Sequence, residues 1–418
     1  MEEYLMKIAK YSIGTGDRFA HQAGAQLKAV MEAAKDGKKI AIVWNKSHRE
    51  HKTIGSKPED VRVAAESAVK KAGYTGEYYL DADHINISNV HLFIPSCNFF
   101  TLDVADFTGK SADEAAIKSF MQKYRRFAGK INIPGASGVF DISEETIHSS
   151  AKKYLLAVQE AAKIYNFIKK KKGAGSFVTE VSMDETDMPQ TPVELFFILG
   201  MISDSGIPAQ TIAPKFTGRF NKGVDYVGSV PQFTKEFSDD IAVIEYAKTL
   251  FKLEDNLKLS VHSGSDKFSI YGPIKAALTK FGAGVHLKTA GTTWLEEIIG
   301  LALGGGEGLA VAVEVYRAAL SRFDELCGPY ATVIDIDKKK LPSAAEVSAY
   351  TGSQFMRALR HDQSCPDYNP DFRQLLHVGY KVAAEMGSRY YDALKKYSTI
   401  VAENVTENIL ERHIKKVF

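Results

Sequence analysis

A (β/α)8 barrel of the TIM type is the fold that this sequence of 418 residues predicts. Short β-rich segments alternate with helix-like segments, which indicates a parallel sheet, and a count of eight favours a closed barrel over an open sheet. With 45% hydrophobic and 25% charged residues, the composition is that of a globular protein with a large core. The eight predicted strand segments are KIAIVWNKSH (39–48), EYYLDADHI (77–85), VHLFIPSCNF (90–99), GSFVTEVSMDE (175–185), AQTIAPKF (209–216), LKLSVHSGS (257–265), GVHLKTAGT (284–292) and ATVIDIDK (331–338).

Residues 1–418 are expected to form one barrel domain with two additional helical parts. The first is an insertion at about residues 105–172, where SADEAAIKSFMQKYRRF and SEETIHSSAKKYLLAVQEAAKIYNFIKKKKG have the periodicity of amphipathic helices. Ser143, with Thr146 three residues later, predicts the start of the second helix. The other is a C-terminal extension at about residues 343–418, whose last part has the pattern of two helices packed outside the barrel.

Charge and cysteine content exclude several classes of partner. Lysine and arginine number 53 against 51 aspartates and glutamates, so the net charge of +2 predicts no nucleic-acid partner. No window approaches the roughly 18 apolar residues of a membrane span, which predicts no membrane partner. The three cysteines form no CxxC pair, which predicts a reducing, cytoplasmic location. The expected partner is a small-molecule substrate, with a homo-oligomer possible.

Polar residues gather at the ends of the predicted strands. In a barrel enzyme the reactive groups lie at the carboxyl ends of the strands, where the loops converge. Any one of the three histidines among them fits a packing or backbone-bonding role, but three at converging ends favour a metal site, because imidazole is a common ligand of divalent transition metals. The strand-end residues are Asp81, Asp83, His84, Glu180, Asp184, Glu185, Lys215, His262, His286 and Lys288.

The segments LDADHI, TEVSMDETD, HSGS and GAGVHLKTAGTTW resemble the zinc-dependent class II aldolases, which are (β/α) barrels. The resemblance implies that Asp83 is an acid/base and that His84 and His262 bind the metal. The aldolases' remaining metal histidine lies between the acidic loop and the His-Gly loop, where this chain has none. The ligand role must therefore move to His286 or be lost.

Asp266 is a second departure from the aldolases, whose loop ends in glycine at this place. A negative charge there is poorly suited to a substrate phosphate, so an unphosphorylated substrate is expected, with Asp266 among the residues that contact it.

Over nearly its full length the chain is more similar to the tagaturonate epimerase family. The segments that carry this similarity are LDADHI, TEVSMDETDMPQTP, APKFTGRFNKGVDYVG, LSVHSGSDKFSIYGP and GVHLKTAGTTWLE. The family resemblance implies an enzyme that depends on a divalent metal and interconverts tagaturonate and fructuronate, or related ketoses such as tagatose and fructose. The metal could be Zn, Mn, Ni or Co.

Tagaturonate and fructuronate differ only at carbon 4, which is β to the ketone at carbon 2. Enolisation does not make the hydrogen on carbon 4 acidic. Retro-aldol cleavage between carbons 3 and 4, rotation of the aldehyde and re-formation of the bond would invert the configuration at carbon 4. Asp83 and Glu180, with Glu185 in reserve, are expected to move the hydroxyl proton, because a positioned carboxylate is a common general acid/base.

The substrate carboxylate requires a cation, and five lysines or arginines are candidates. Lys215 is at a strand end, Arg219 and Lys222 are in the loop that follows it, and Lys267 and Lys288 are additional candidates; of these, Arg219 could clamp a carboxylate bidentately. Ser263, Ser265 and the TAGTT loop offer hydroxyl and backbone donors to sugar hydroxyls.

Two other functions fit the same pattern. A class II-type aldolase acting on an unphosphorylated sugar acid would use the same strand-end residues but release its fragments. A non-catalytic sugar-binding barrel would share the fold but have no reason to retain a stoichiometric metal.

Overall fold

Eight parallel strands close into a barrel in a computed structural model that describes residues 6–418. The strands are β1 Tyr11–Gly16, β2 Ile40–Ser47, β3 Tyr78–Ile85, β4 Phe99–Asp103, β5 Gly129–Ile131, β6 Phe140–Ile142, β7 Val178–Ser182, β8 Thr211–Ala213, β9 Lys258–Val261 and β10 Val285–Leu287. Around the barrel they follow the order β1-β10-β9-β8-β7-β4-β3-β2, and a separate antiparallel pair, β5 and β6, lies outside it. The predicted fold class is thereby confirmed.

The count of eight barrel strands was right, but one of the predicted segments was wrong. Residues 331–338 form turns and irregular structure, and the missing strand is β1, which pairs with β2 and β10 and closes the barrel. Its sequence, YSIGTG, contains two glycines, which weaken any sequence-based strand prediction. Close approach favours glycine at position 14, because a Cβ there would lie 3.1 Å from the Cα of Lys288 on the adjoining chain segment.

The segment predicted at 90–99 was also only partly right. Residues Val90–Leu92 form a 3-10 turn, and the strand begins at Phe99 and runs to Asp103. Asn98 explains the start of this strand, because its backbone carbonyl accepts from Val178 of β7 and its side chain accepts from Leu80 of β3.

Alternate residues of each strand point into the barrel, where they form an apolar base below a polar middle. Val43, Tyr79, Phe99 and Val178 form the base, and Ile8 packs on them from the segment before β1. The middle holds buried polar side chains on the same faces of the strands: Ser12, Asn45, Asp81, Thr101, Glu180, Ser260, His286 and Lys288.

The opposite faces of the strands pack against the surrounding helices in the main hydrophobic core. Leu259 and Val261 of β9 belong to that core, whereas His262, just after the strand, belongs to the inward-facing series. The helices are α1 Ala23–Lys35, α2 His48–Ile54, α3 Pro58–Ala72, α4 Glu114–Tyr124, α5 Glu144–Lys172, α6 Pro192–Asp204, α7 Val230–Phe251, α8 Phe268–Phe281, α9 Thr293–Gly304, α10 Gly306–Ser321, α11 Phe323–Cys327, α12 Ala344–Ser348, α13 Gly352–Leu359, α14 Pro370–Val378, α15 Tyr380–Glu385, α16 Ser388–Lys396, α17 Ser398–Glu407 and α18 Lys415–Val417.

The region between β4 and β7 contains α4, the β5–β6 pair and the 29-residue α5. Ser143 caps α5 by accepting from the amide of Thr146, as the sequence predicted. Residues 372–418, predicted to form two helices, instead contain most of α14 and all of α15, α16, α17 and α18, and α17 packs against both α9 and α1. Among the helices of residues 6–418, none is long and apolar enough to cross a membrane.

Candidate active site

A cavity of about 510 Å³ opens at the carboxyl end of the barrel. Residues at or just after the ends of seven of the eight barrel strands line it, together with α2, the start of α9 and one residue of α14. The charged and polar side chains that line it include Arg18, Arg49, Glu50, Lys52, Asp83, His84, Asp103, Asp184, Glu185, Lys222, His262, Ser263, Ser265, Lys267 and His377.

Two imidazoles and one carboxylate meet on the floor of this cavity. His84, Asp184 and His262 each offer a ligand atom, and these atoms lie within 4.8 Å of one another. Nε2 of His84 is 3.4 Å from one Asp184 oxygen, and Nδ1 of His262 is 3.1 Å from the other. We call these three residues the floor group.

The other ring nitrogen of each histidine lies beside a different carboxylate. Nδ1 of His84 is 2.7 Å from Asp83, and Nε2 of His262 is 2.8 Å from Glu180. Such carboxylate–imidazole pairs fix the orientation of a ring whose free nitrogen faces a ligand. The floor group is therefore preorganised by its neighbours.

Lys288 joins these supporting carboxylates beneath the cavity. Its ammonium lies 2.9 Å from Asp81, 2.9 Å from Asp83 and 3.1 Å from Glu180. Burial lowers the pKa of Lys288, but the three carboxylates outweigh it and hold that pKa well above its usual range. Burial likewise opposes ionisation of Glu180, yet Lys288 and His262 hold its pKa well below the ordinary value.

Asp81 differs from the other two carboxylates. Burial, aided by the charges of Asp83 and Glu180, raises the pKa of Asp81 to about 6 despite the attraction of Lys288. For Asp83 the balance is reversed: burial is outweighed by Lys288 and His84, which hold its pKa below the ordinary value. Of the carboxylates around Lys288, Asp83 is thus the ionised one that also lines the cavity.

The backbone is left-handed at four non-glycine residues in and after β3, β9 and β10. The φ angles are 51° at His84, 48° at Ser263, 58° at Asp266 and 55° at Thr289. Such a conformation costs energy for a residue with a side chain and is concentrated at functional sites in proteins.

The structure does not bring His286 into the floor group. It lies one layer deeper, paired in register with Ser12 and Ser260, and its Nδ1 is 2.9 Å from the Ser12 hydroxyl. Burial lowers the pKa of His286 to about 3, so the ring is neutral. Asp184, which follows β7, lies between the two histidines where His286 was expected, whereas His286 lies within β10, opposite Ser260 and two residues below the level of His262.

Glu180 is fully buried behind His262 and does not line the cavity, whereas Glu185, the reserve candidate, does. Ser263 lines the cavity as expected, but Lys288 lies beneath it.

Three other residues predicted to contact the substrate are bound to protein groups outside the cavity. Asp266 is fully buried against the C-terminal extension, where it pairs with Arg373 and lies 3.3 Å from His361. Lys215 donates to the backbone carbonyl of Thr186. Arg219 is half exposed and forms an ion pair of 3.1 Å with Asp335.

Some cavity residues were not singled out from the sequence. Arg18 follows β1, the strand that was missed, and pairs with Glu50 at 2.9 Å. Asp103 ends β4, and burial raises the pKa of its carboxyl. A correct assignment of β1 and of the end of β4 would have found both, because each lies at or just after the carboxyl end of its strand.

Comparisons with known proteins agree with this architecture. A family model described as tagaturonate epimerase matches residues 3–418. A tagaturonate/fructuronate epimerase from Thermotoga maritima is 29% identical over 420 aligned positions, which cover 96% of this chain and 80% of that protein.

Two crystal structures of fructuronate-tagaturonate epimerase UxaE from Cohnella laeviribosi share the fold. The structure with one glycerol superposes with a TM-score of 0.81 at 23% identity and covers 99% of this chain and 82% of that one. The structure with two glycerols gives 0.80 at 22% identity, with 99% and 83% covered.

Proposed function

The chain belongs to the tagaturonate epimerase family and is an isomerase, and from that premise we propose that it interconverts tagaturonate and fructuronate by inverting carbon 4. The observation that carries this proposal is the floor group, two imidazoles and a carboxylate, with the ionised Asp83 beside it in the same cavity. The name of the Thermotoga maritima relative supports the choice of substrate. Neutral ketoses with the same reacting carbons, such as tagatose and fructose, are secondary substrates.

The floor group suits a divalent metal ion, with Zn, Mn, Ni and Co as the candidates. Nitrogen and carboxylate oxygen are ligands that these ions accept. Glu180 takes Nε2 of His262, so the buried Nδ1, which lies 3.1 Å from Asp184, is the ring nitrogen that would coordinate an ion. When bound, such an ion supplies Lewis-acid stabilisation of the negative charge that develops on the ketose oxygens.

The position of carbon 4 determines the type of reaction. A base that removed the hydrogen from carbon 4 would produce a carbanion that the ketone cannot stabilise, because carbon 3 separates carbon 4 from the ketone carbon. Breaking the bond between carbons 3 and 4 instead leaves the electron pair on carbon 3 as an enediolate and converts carbon 4 to an aldehyde. The aldehyde then presents its other face, and the same bond re-forms with inversion.

The retro-aldol step needs a base for the hydroxyl proton at carbon 4. Asp83 is held ionised by Lys288 and His84 and lines the cavity, so it accepts this proton during cleavage and returns it on closure. Glu185 takes the role of second carboxylate in place of Glu180, because Glu185 lines the cavity and Glu180 is enclosed behind His262.

Assay of the purified enzyme with tagaturonate tests the proposal. Fructuronate is expected to form with metal-loaded enzyme and not after chelation, and readdition of a divalent ion should restore activity. In deuterium oxide the product should carry no deuterium at carbon 4, because the retro-aldol route keeps that hydrogen in place. Deuterium appearing at carbon 4 at the rate of epimerisation would overturn the mechanism.

The same assay separates the two alternatives. Trapping of free aldehyde at the rate of turnover would indicate an aldolase that acts on a sugar acid. Purified protein without bound metal and without turnover on any ketohexuronate or ketohexose would indicate a sugar-binding barrel.

A further inference from the structure

The loop between β8 and α7 presents one unpaired ammonium to the cavity. Of the five cations that the sequence offered to a substrate carboxylate, four are engaged by protein groups: Lys215, Arg219, Lys267 and Lys288. The fifth, Lys222, lines the cavity, and within residues 6–418 its ammonium has no hydrogen-bond or ion-pair partner.

The backbone on both sides of Lys222 is held rigidly. The buried ammonium of Lys267 donates to the carbonyl oxygens of Asn221, at 2.9 Å, and Val224, at 2.7 Å. Arg373 on α14 donates to the carbonyl of the residue that follows Lys222. A free cation on a fixed loop is the arrangement expected of a preorganised binding group, because little freedom remains to be lost on binding.

Arg49 on α2 is a second cation of the same cavity. Its guanidinium lies 5.0 Å from the centre of the Tyr330 ring and pairs with no carboxylate of the described chain. Arg18, by contrast, is already paired with Glu50. Burial, followed by repulsion from Arg49, lowers the pKa of Lys222. An anion that binds between Lys222 and Arg49 would relieve this repulsion.

We propose, on the basis of the epimerase function above, that Lys222 and Arg49 bind the carboxylate at carbon 6 of the substrate and set the preference for keto acids over neutral ketohexoses. Carbon 6 belongs to the aldehyde fragment and is two bonds from carbon 4. A carboxylate held here retains that fragment, yet it leaves rotation about the bond between carbons 4 and 5 free. Binding of the carboxylate by Lys222 and Arg49 is therefore compatible with the change of aldehyde face that inversion requires.

Lys222→Met tests the proposal because it removes the charge and keeps a similar length. The substitution removes a hydrogen bond between two charged groups, which stabilises a complex by about 1.5 to 3 kcal/mol. The value of kcat/KM for tagaturonate should therefore fall about 10- to 100-fold, mainly through KM. For tagatose, which has no carboxylate, kcat/KM should change less than about threefold, since the interaction removed is absent there. Lys222→Arg should recover most of the activity on tagaturonate. Arg219→Met, in the same loop but paired with Asp335, is the matched control and should leave both substrates unaffected.

Competitive inhibition gives a second measurement if tagatose is turned over too slowly. Glycerate carries the carboxylate of the aldehyde fragment and glycerol lacks it. Lys222→Met should weaken inhibition by glycerate at least tenfold and leave that by glycerol unchanged.

The outcomes separate this inference from the proposed function. An unmodified enzyme that fails to interconvert tagaturonate and fructuronate overturns both. An active enzyme in which Lys222→Met affects tagaturonate and tagatose equally, or neither of them, overturns only the carboxylate site. Failure of glycerate to inhibit the unmodified enzyme, or equal weakening of glycerate and glycerol, also counts against that site.

Discussion

At the scale of single residues, each imidazole of the floor group has one nitrogen directed at a carboxylate and the other at Asp184. Asp83 supports His84 and Glu180 supports His262, and Lys288 lies between the two supporting carboxylates. Because both supports are themselves fixed, the two nitrogens that face Asp184 have defined positions before any ligand binds. Glu180 therefore contacts the cavity only through His262, whereas Asp83 both supports His84 and lines the cavity.

If the floor group binds the metal proposed above, replacing Asp184 by alanine should weaken that binding, because this carboxylate lies between the two histidines. We expect at least a tenfold loss of metal affinity, as is found even for residues that only support a ligand. His286→Ala should keep the metal, since His286 contacts Ser12 below the floor. Metal content per folded chain after dialysis against a divalent ion measures both. Full occupancy in Asp184→Ala, or loss in folded His286→Ala, would contradict the assignment.

The sequence could predict part of this site. His84 and His262 lie at strand ends, and the resemblance to known motifs predicted that their side chains meet, as they do. The choice between His286 and Asp184 depends on how far each strand extends along the barrel axis. Register with Ser260 places His286 two residues below the level of His262. This offset is set by pairing between distant segments, and no local pattern contains it.

His51 makes folding stability depend on pH. It is buried on α2, where burial and then Lys46 lower its pKa to about 4, against the opposing charges of Glu50 and Asp60. A group whose pKa is depressed on folding binds fewer protons in the native state, so its stability contribution is complete above the unfolded pKa of about 6.5 and is lost as the pH falls towards 4.

His51→Asn should therefore make folding less sensitive to acid. Between pH 7 and pH 5 the unmodified chain should lose about 2 kcal/mol of unfolding free energy through His51, and the variant should lose about 2 kcal/mol less. Urea denaturation at the two pH values measures this difference. Equal losses in the two proteins would show that His51 is not buried in its neutral form.

At the scale of elements, the alternation of β and α segments was enough for the fold class but not for the identity of every strand. In YSIGTG, Gly14 allows the residues just after β10 to approach β1 closely, a requirement imposed by a segment more than 270 positions away. ATVIDIDK has the composition of a strand, yet the barrel is already closed by β10 and β1. Strand propensity depends on such context, so it could not decide between the two segments.

Close helix packing gives a prediction at this scale. In α9, a Cβ on Gly300 would lie 2.6 Å from the Cα of Val401 on α17, so Gly300→Ala should destabilise the protein by about 1 to 3 kcal/mol through overpacking. Gly24 in α1 is the control, because a Cβ there would have no neighbouring atom within 4 Å and alanine is favoured over glycine in a helix by up to about 1 kcal/mol. Chemical denaturation of both variants should give shifts of opposite sign. Destabilisation by Gly24→Ala, or none by Gly300→Ala, would contradict this packing.

At the scale of the whole molecule, the C-terminal extension forms part of the site rather than a separate outer layer. His377 of α14 lines the cavity, and the carbonyl of Leu376 accepts from the indole of Trp294 at the start of α9 at 2.7 Å. Arg373 is fully buried and donates to the loop after β8 and to the side chain of Asp266 after β9. The sequence indicated helices here, but contacts of this kind follow only from the folded arrangement.

Arg373→Met tests how strongly the extension and the barrel depend on each other. The substitution leaves Asp266 as a buried carboxylate with histidines as its remaining neighbours, and removing one partner of a buried ion pair typically costs about 3 to 5 kcal/mol. We expect that loss in the free energy of unfolding, together with a higher KM for tagaturonate, because the loop of Lys222 loses a contact. Arg389→Met is the control within the same extension: its pair with Glu314 is half exposed, so the change should stay within about 0.5 kcal/mol. Arg373→Met could instead unfold at the same denaturant concentration as Arg389→Met and keep its KM. That result would show that the extension neither stabilises the barrel nor positions the loops of the cavity.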